Sequence, residues 1–288
     1  MSDIEIKQQV RQFYDQIGWQ AAGAGLYQNA RYEDLRPVSQ QYIRSCHLRI
    51  NRHLNRGGKY LMDAGSGPIQ YAEYLTYSQT YRYRVCLDLS IVALQEARRR
   101  IGEHGLYVVA DVANLPFKPE SFEGIVSLHT LHHLSVGDQA QAYDGLYRAL
   151  APGGSAVVVN GWTVSPLMRF FQPLVLLMER VGNWLAKRRR RETNQQPAAS
   201  PTQQSKESGP VGTYVQKHNA AWLRSLLGGR MDFEIRVWRS VNVRFLRAVV
   251  HTALGGRAWL RILFWLEDRF PHFFGEIGQY PLIILRKP

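Results

Sequence analysis

The segment 59–71, KYLMDAGSGPIQY, constrains the fold more than any other part of the chain. It begins with a short apolar run and an acidic residue, Asp63, and two alternating glycines, Gly65 and Gly67, precede a helical pattern. Glycines at such a turn let the backbone approach a bound nucleotide closely. The segment therefore predicts a strand, a tight turn and a helix, with a ligand site at the turn.

Apolar segments that suit buried strands recur after this turn. Helical patterns separate them, and one of these begins after Ser90, a predicted N-cap. Near-continuous apolar strands alternating with helices are typical of a parallel sheet covered on both faces, which binds ligands at the carboxyl ends of its strands. Strands are expected at 59–63, 83–88, 105–110, 123–128 and 154–160, and helices at 69–78, 90–102 and 138–150.

Outside this region the pattern changes. An apolar helical stretch at 165–186, in which Pro173 favours a kink, is followed by five cations at 187–191. Residues 192–212 have the polar composition of a disordered segment. Before the first strand, helices are expected at 3–17 and, after a loop at 23–37, up to about 54. After the polar segment, a helix is expected at 214–227 with Asn219 as N-cap, followed by a strand at 231–238. Basic and aromatic helices at about 241–253 and 257–268 and a strand at 280–285 complete the chain.

Polar residues follow four of the predicted strands and would meet at one edge of the sheet. Asp88 lies 21 residues beyond Gly67. A carboxylate at this spacing accepts hydrogen bonds from both hydroxyls of a ribose. Asp111 precedes an apolar loop that suits an adenine ring, and a histidine-rich segment at 127–133 follows the fourth strand. These strand ends therefore predict a single pocket for a nucleotide-like ligand.

This set of motifs resembles the class I S-adenosylmethionine-dependent methyltransferases. The resemblance covers about residues 59–162 and rests on Asp63-x-Gly-x-Gly, Asp88, Asp111 followed by Leu-Pro-Phe, and Leu150-x-Pro-Gly-Gly.

A nicotinamide-binding domain would usually carry a third glycine where this chain has Gln70. The methyltransferase family often has a third glycine at the position of Ile69, and the chain departs from the family there.

The resemblance implies a Rossmann-like α/β fold with S-adenosylmethionine as cofactor. A seven-stranded, mostly parallel sheet would lie between helices, with an antiparallel edge hairpin of 231–238 and 280–286, and extra helical segments would cap the substrate side. The chain would divide into a helical cap (1–58), a cofactor-binding core (59–162), an apolar helix with basic run and linker (163–212), and a C-terminal part of the core with inserted basic helices at 240–270 (213–288). The cofactor-binding positions implied are Asp63, Ala64, Gly65, Ser66, Gly67, Asp88, Leu89, Asp111, Val112 and His129.

Methyl transfer is an in-line displacement that needs alignment and exclusion of water, and a base only for a poorly acidic acceptor. The resemblance places the segment after the fourth strand beside the methyl group, so His129 and His132 are the predicted catalytic residues, and structural histidines are the alternative. No carboxylate or cysteine lies near the histidines in sequence, so no metal is predicted. Predicted substrate-lining residues, for which core packing is the alternative, are Tyr14, Tyr27, Tyr32, His133, Trp162, Tyr214 and His218.

Two missing motifs narrow the acceptor. Enzymes that methylate adenine or glutamine amide carry an Asp- or Asn-Pro-Pro-aromatic run after the fourth strand, where this chain has Ser127-Leu-His-Thr. The cysteine required for cytosine methylation is also missing there. The sequence therefore favours methylation at oxygen or carbon of a small or lipid-like acceptor. A noncatalytic S-adenosylmethionine-binding scaffold and an RNA-directed methyltransferase remain as alternatives.

The net charge of +13 predicts attraction to an anionic partner. Cations stand beside aromatic and aliphatic residues at 165–191 and 241–269, a pattern that suits peripheral contact with an anionic membrane, although a solvated basic face would look the same. Because the amide- and cytosine-methylation motifs are missing, nucleic acid is not the expected partner. Two cysteines and no apolar N-terminal signal predict a cytoplasmic protein, which the membrane contact would place at the inner face of the membrane.

Overall fold

A computed structural model describes residues 1–23, 26–54, 57–192 and 213–288. The strands of its main sheet are β3 (Gly58–Ala64), β4 (Tyr81–Asp88), β5 (Gly105–Val109), β6 (Phe122–Leu128), β7 (Leu150–Val159), β8 (Asp232–Arg239) and β9 (Tyr280–Arg286). A separate two-stranded antiparallel sheet joins β1 (Ala21–Gly23) and β2 (Leu26–Tyr27).

The seven strands lie in the order β5-β4-β3-β6-β7-β9-β8. The first five in this order are parallel, while β9 pairs antiparallel with both β7 and β8. The prediction of a mostly parallel sheet with an antiparallel pair at one edge is therefore confirmed. Strand order reverses between β4 and β6, on either side of β3, so the glycine turn after β3 lies where such sheets bind ligands.

Helices cover both faces of the sheet. Leu146 and Leu223 are buried on one face, and Ile50 and Leu246 on the other. The α-helices are α1 (Asp3–Phe13), α2 (Gln40–Leu48), α3 (Ile91–Ile101), α4 (Val136–Ala149), α5 (Pro166–Glu192), α6 (Ala220–Leu227), α7 (Val243–Val249), α8 (Gly256–Arg269) and α9 (Pro271–Ile277). A π-helical turn spans Tyr14–Gly18, and 3₁₀ segments span Gln28–Tyr32, Arg49–Arg52, Ala72–Ser78, Gly102–His104, Leu131–His133 and Thr252–Leu254.

Two predicted helix starts were wrong. The helix expected from residue 69 is a 3₁₀ segment that begins only at Ala72, because Ile69 has a φ of +55°, outside the helical region. The helix expected from residue 214 begins at Ala220, although Asn219 is its N-cap as predicted. The chain ahead of it is held elsewhere, since the Gln216 N–H donates to the His132 carbonyl at 2.7 Å. The sequence also gave no separate prediction for α9.

The apolar stretch expected at 165–186 and the basic run at 187–191 belong to one helix, α5. This helix continues through Pro173. The segment predicted to be disordered, except for Glu192 at the end of α5, lies outside the described residues. Within the described ranges, no helix is both long enough and apolar enough to cross a membrane.

Candidate active site

A cavity of about 470 Å³ lies at the carboxyl ends of the central strands. This volume is within the range of small-molecule and cofactor sites. Predicted site residues that line it are Tyr14, Tyr32, Asp63, Gly65, Ser66, Gly67, Asp88, Leu89, Asp111, Val112, His129, His132 and His133. We call the end around Gly65–Gly67, Asp88 and Asp111 the cofactor half, and the end around His129, His132, Lys217, Arg239 and Tyr280 the acceptor half.

The turn after β3 requires glycine. Gly65 has a φ of +76°, and a Cβ there would lie 2.2 Å from Cγ2 of Thr130. Gly67 has a φ of +54°, and a Cβ there would lie 3.0 Å from the Trp19 ring. L-residues with a side chain rarely adopt such φ values, and these contacts leave no room for one. Glycine is therefore required here both by the backbone conformation and by the packing of Thr130 and Trp19 against the turn.

Asp88 closes the same turn at the end of β4. Its Oδ2 accepts from the Gly67 N–H at 2.9 Å, and its Oδ1 accepts from the Ser90 N–H at 2.9 Å. Burial raises the pKa of Asp88 to about 6, against the opposing effect of these two bonds. The carboxylate is held by two backbone donors at the position from which it would accept ribose hydroxyls.

Asp63 is paired with an arginine that the sequence did not reveal. Arg84, on the neighbouring strand β4, donates through Nε to Asp63 Oδ2 at 3.1 Å, and its Nη2 donates to the same oxygen. Both side chains are buried. The pair compensates a charge that would otherwise be costly in the sheet, and it fixes the carboxylate below the glycine turn.

Helix α1 lies over the adenine end of the cofactor half. Lys7 Nζ is 2.6 Å from Asp111 Oδ2 and 2.9 Å from Asp138 Oδ2. Asp111 Oδ1 accepts from the Ala113 N–H at 2.9 Å. Lys7 on α1 thus links Asp111, the residue predicted to bind adenine, to Asp138 on α4. No local sequence pattern indicates this contact.

His133 is held by hydrogen bonds on both ring nitrogens. Its Nδ1 lies 2.8 Å from the Tyr214 carbonyl, to which it donates. This leaves Nε2 to accept from the Tyr14 hydroxyl at 2.8 Å. Burial lowers the pKa of His133 to about 4. Its bonds tie the segment before α6 and the N-terminal region to the site.

His129 and His132 present neutral imidazoles to the cavity. Nδ1 of His132 lies 3.3 Å from Oδ1 of Asn160, so that amide oxygen can accept the Nδ1 proton and leave Nε2 with a lone pair. His129 has a φ of +57° and packs edge-on against Trp238 at 5.0 Å between ring centroids. Burial lowers the pKa of His129 to about 3 and the pKa of His132 well below its usual value. Both are uncharged near neutral pH.

Five predicted site residues do not line the cavity. Ala64 lies in the core beneath the turn. Trp162 is buried and donates from Nε1 to the Gly275 carbonyl at 2.8 Å, and the Tyr27 hydroxyl donates to Glu96 at 3.3 Å. His218 stacks on Trp222 with 3.6 Å between ring centroids, and Tyr214 offers its carbonyl to His133.

Two further observations concern metals and thiols. Within the described ranges, no three or more His, Cys, Asp or Glu side chains are placed to hold a metal ion. Cys46 and Cys86 are free and buried, and burial raises the pKa of the Cys86 thiol to about 12.

The cofactor half fits S-adenosylmethionine. The Gly65–Gly67 turn, Asp88, Asp111 and Val112 all line the cavity. There the turn would hold the amino acid part of the cofactor, Asp88 the ribose, and Asp111 with Val112 the adenine. Trp19 stacks on Tyr14 at 4.9 Å between centroids and helps to close this end.

Known proteins resemble the chain over the same region. A family model described as "Methyltransferase domain" matches residues 62–158. A probable tRNA methyltransferase 9B from Mus musculus is 27% identical over 144 residues, which is 49% of this chain and 30% of that protein. The chain therefore spans about a third of the length of the curated relatives it matches.

Two solved structures show the same fold at low identity. Phosphoethanolamine N-methyltransferase 1 of Haemonchus contortus, in complex with phosphoethanolamine and S-adenosylhomocysteine, has a TM-score of 0.54, 11% identity, and coverage of 100% of this chain and 50% of that one. The [4+2]-cyclase SpnF has a TM-score of 0.52, 16% identity, and coverage of 98% and 97%.

The matched family, the sheet order and the cofactor half agree on one assignment. The motifs at Gly65–Gly67, Asp88 and Asp111 lie inside or at the border of the matched region, at the strand ends where such domains bind their cofactor. The chain contains a class I S-adenosylmethionine-dependent methyltransferase domain, and its cofactor is S-adenosylmethionine.

Proposed function

We propose that this protein transfers a methyl group from S-adenosylmethionine to oxygen or carbon of a small or lipid-like acceptor. The observation that carries the proposal is the continuity of one cavity. It joins the glycine turn and Asp88 at one end to His129 and His132 at the other. A cofactor in the first half would therefore face two neutral imidazoles in the second.

When bound, the cofactor supplies an electrophilic methyl group on a sulfonium. The protein's part is to align the acceptor and to exclude water. His132 is proposed to take the acceptor's proton on Nε2, because its Nδ1 is occupied by Asn160. Imidazoles with strongly lowered pKa values are weak bases, so an acidic acceptor group such as a phenol or enol fits better than an aliphatic alcohol.

The test is transfer of a labelled methyl group into a cell extract separated into lipid, small-molecule and RNA fractions. We expect label in the lipid or small-molecule fraction. His132→Ala should reduce transfer by at least about 100-fold, a usual contribution of general base catalysis. It should leave affinity for S-adenosylhomocysteine unchanged.

His218→Ala is the matched control, because that ring stacks on Trp222 outside the cavity lining. Label in no fraction, with S-adenosylhomocysteine still bound, would instead support a noncatalytic cofactor-binding protein. The fold alone allows this, since the SpnF structure that resembles the chain is described as a [4+2]-cyclase.

RNA is the second candidate acceptor. The similarity to a probable tRNA methyltransferase weighs against the sequence-based expectation that nucleic acid is an unlikely partner. The net charge of +13 also favours binding to phosphates. An RNA acceptor would bring label into the RNA fraction, and binding would weaken steeply as salt is raised.

We further propose that the protein works as a cytoplasmic protein at an anionic membrane surface, where a lipid-like acceptor would be found. Exposed apolar side chains on α5 include Phe170 at 75% and Trp184 at 58%. On α8, Trp259 and Trp265 are 66% and 62% exposed. Large apolar side chains beside cations suit the interface of an anionic membrane.

Flotation with liposomes tests this attachment. Wild type should float with liposomes that contain phosphatidylserine, and remain unbound to neutral phosphatidylcholine liposomes. The double variant Phe170→Ser/Trp184→Ser should no longer float with the liposomes. The double variant Arg224→Ser/Ser225→Ala, at two exposed positions of α6, is the control. Equal flotation of wild type and the α5 variant would contradict the membrane proposal and leave methyl transfer untouched.

A further inference from the structure

The acceptor half contains a lysine that the sequence did not single out. Lys217 lies in the segment before α6, opposite Gly161 at the end of β7. A Cβ on Gly161 would lie 3.2 Å from the Lys217 Nζ, so the glycine leaves room for the ammonium group. Both Gly161 and Lys217 line the cavity.

The backbone next to Lys217 is fixed to the site. The Gln216 N–H donates to the His132 carbonyl at 2.7 Å. The Gln216 carbonyl accepts from Nε2 of the buried Gln139 at 2.9 Å. The neighbouring Thr163 N–H donates to the His218 carbonyl at 3.0 Å. Lys217 therefore extends from an anchored segment.

Lys217 has no counter-ion among residues 1–23, 26–54, 57–192 and 213–288. In the part of the chain that the structure describes, no ion pair or hydrogen bond engages its Nζ. Desolvation by burial lowers its pKa, and no carboxylate opposes this shift. A cation that is partly removed from water and has no partner is costly, and such groups are normally paired. This cation faces a cavity in which an anion could pair with it.

A second cation borders the same space. Arg239 is buried at the end of β8, and its Nη1 is paired with Glu33. Its Nε has no hydrogen-bond partner among the described residues. The guanidinium carbon lies 4.7 Å from the centroid of the Tyr280 ring, and the Cβ position of Gly161, next to Lys217, is 3.5 Å from the same ring.

The nearby carboxylates are already engaged. Glu33 pairs with Arg239 and lies 4.0 Å from His47 Nε2. Asp63 is paired with Arg84. His129 and His132, together with the adjacent His133, are neutral because burial lowers their pKa values. The ammonium of Lys217 therefore leaves a net positive charge at this end of the cavity.

We propose that the acceptor carries an anionic oxygen group, such as a carboxylate, phenolate or phosphate, which Lys217 binds in the acceptor half. The proposal rests on the proposed function and specifies its substrate class. Arg239, which also lines the cavity, is a second cationic side chain on the same side. An acidic acceptor also agrees with the weak basicity of the neighbouring imidazoles, since it needs no strong base.

The cofactor has a carboxylate of its own, and the position of Lys217 separates the two possibilities. Lys217 lies beside the ends of β7 and β9, whereas the glycine turn that would hold the amino acid part of the cofactor follows β3. Strands β6 and β7 lie between β3 and β9. The geometry thus favours an anion on the acceptor.

Calorimetric titration of the full chain saturated with S-adenosylhomocysteine tests the proposal. The probes are benzoate, its neutral counterpart benzamide, and inorganic phosphate. We expect benzoate or phosphate to bind at least about tenfold more tightly than benzamide, and the tighter of the two anions identifies the acid class. Lys217→Met should weaken that anion at least about tenfold, Lys217→Arg should retain it, and the exposed Lys118→Met should have no effect.

Three outcomes would overturn the proposal. They are equal binding of benzoate and benzamide, failure of both anions to bind the wild type, and undiminished anion binding by Lys217→Met. A loss of S-adenosylhomocysteine affinity in Lys217→Met would assign the lysine to the cofactor instead. Failure of the proposed function appears separately, as absent S-adenosylhomocysteine binding or absent methyl transfer by the wild type.

Discussion

In the cofactor half, Asp88 and Asp111 each accept a hydrogen bond from a backbone N–H two residues away, whereas the acceptor half is assembled from side chains distant in sequence. Asp88 accepts from Ser90, two residues away, and Asp111 accepts from Ala113. In the acceptor half, Arg239 pairs with Glu33 across 206 positions. Turn chemistry of the first kind can be recognised in a sequence, because the turn and its acceptor are specified together. Pairs of the second kind exist only after folding.

The difference also concerns energy. The backbone bonds of Asp88 join only the end of β4 to the neighbouring turn after β3, so a change there should act on the ligand more than on the fold. The buried Arg239–Glu33 pair joins β8 to the N-terminal region, so a change there should act on the fold.

The largest effect is expected from Arg239→Met. The change leaves the buried Glu33 without its cation, and breaking such a pair typically costs about 3–5 kcal/mol. The free energy of unfolding, measured by urea titration, should fall by about this amount. Arg239→Met with Glu33→Gln should recover part of the loss.

Arg224→Met provides the control, because Arg224 and Glu276 are 49% and 44% exposed. That pair should contribute less than about 1 kcal/mol. If Arg239→Met were as stable as wild type, the acceptor half would not depend on its long-range pair.

Gly65→Ala should lower the affinity for the ligand rather than the free energy of unfolding. The substitution places a Cβ 2.2 Å from Thr130 at a φ of +76°, so the turn must move. We expect affinity for S-adenosylhomocysteine to fall at least about 100-fold, equivalent to about 2.7 kcal/mol. Gly137→Ala, where a Cβ meets nothing within 4 Å, should bind normally. Normal binding of S-adenosylhomocysteine by Gly65→Ala would show that the turn does not contact the cofactor.

The same division explains what could be predicted from the sequence. The alternation of strands and helices and the Ser90 and Asn219 N-caps follow from apolar periodicity and local hydrogen bonds, and they are present. The antiparallel edge pair, which is also present, was implied by the family resemblance. The glycine turn was recognisable because glycine is one of the few residue types that readily adopt positive φ values. The φ of +55° at Ile69 could not be predicted, since isoleucine in a sequence does not indicate a positive φ.

The residues that were missed share one property. Lys7, Arg84, Lys217 and Arg239 act through partners or surroundings on other elements, and nothing within a few residues of them marks a site. The predicted helix through residue 214 also hid Lys217, because helical periodicity cannot show that Gln216 is bonded to His132. Only the tertiary structure brings these groups to the cavity.

A smaller effect is expected from pH acting on Asp88. Ribose hydroxyls donate to the ionised carboxylate, so protonation below its pKa of about 6 should weaken binding. Affinity for S-adenosylhomocysteine should fall about tenfold between pH 8 and pH 5, the change expected one unit below that pKa. Calorimetry across this range measures it.

Asp88→Asn should bind more weakly at pH 8 and show no such fall. The pKa values of His129 and His133, about 3 and about 4, keep both rings neutral throughout this range. A fall that persisted in Asp88→Asn would assign the titration to another group and separate Asp88 from the ribose.

The smallest effect is expected from Lys7→Met, at the contact between α1 and the cofactor half. Lys7 holds α1 over the site through Asp111 and Asp138, yet it also occupies the oxygen proposed for the adenine amine. Removing it should speed both association and dissociation of S-adenosylhomocysteine about two- to fivefold, because a partly exposed pair contributes up to about 1 kcal/mol. The dissociation constant should therefore change little, and stopped-flow Trp19 fluorescence can separate the two rates. Lys7→Arg should retain both rates, whereas an unchanged dissociation rate in Lys7→Met would mean that α1 does not restrain the cofactor.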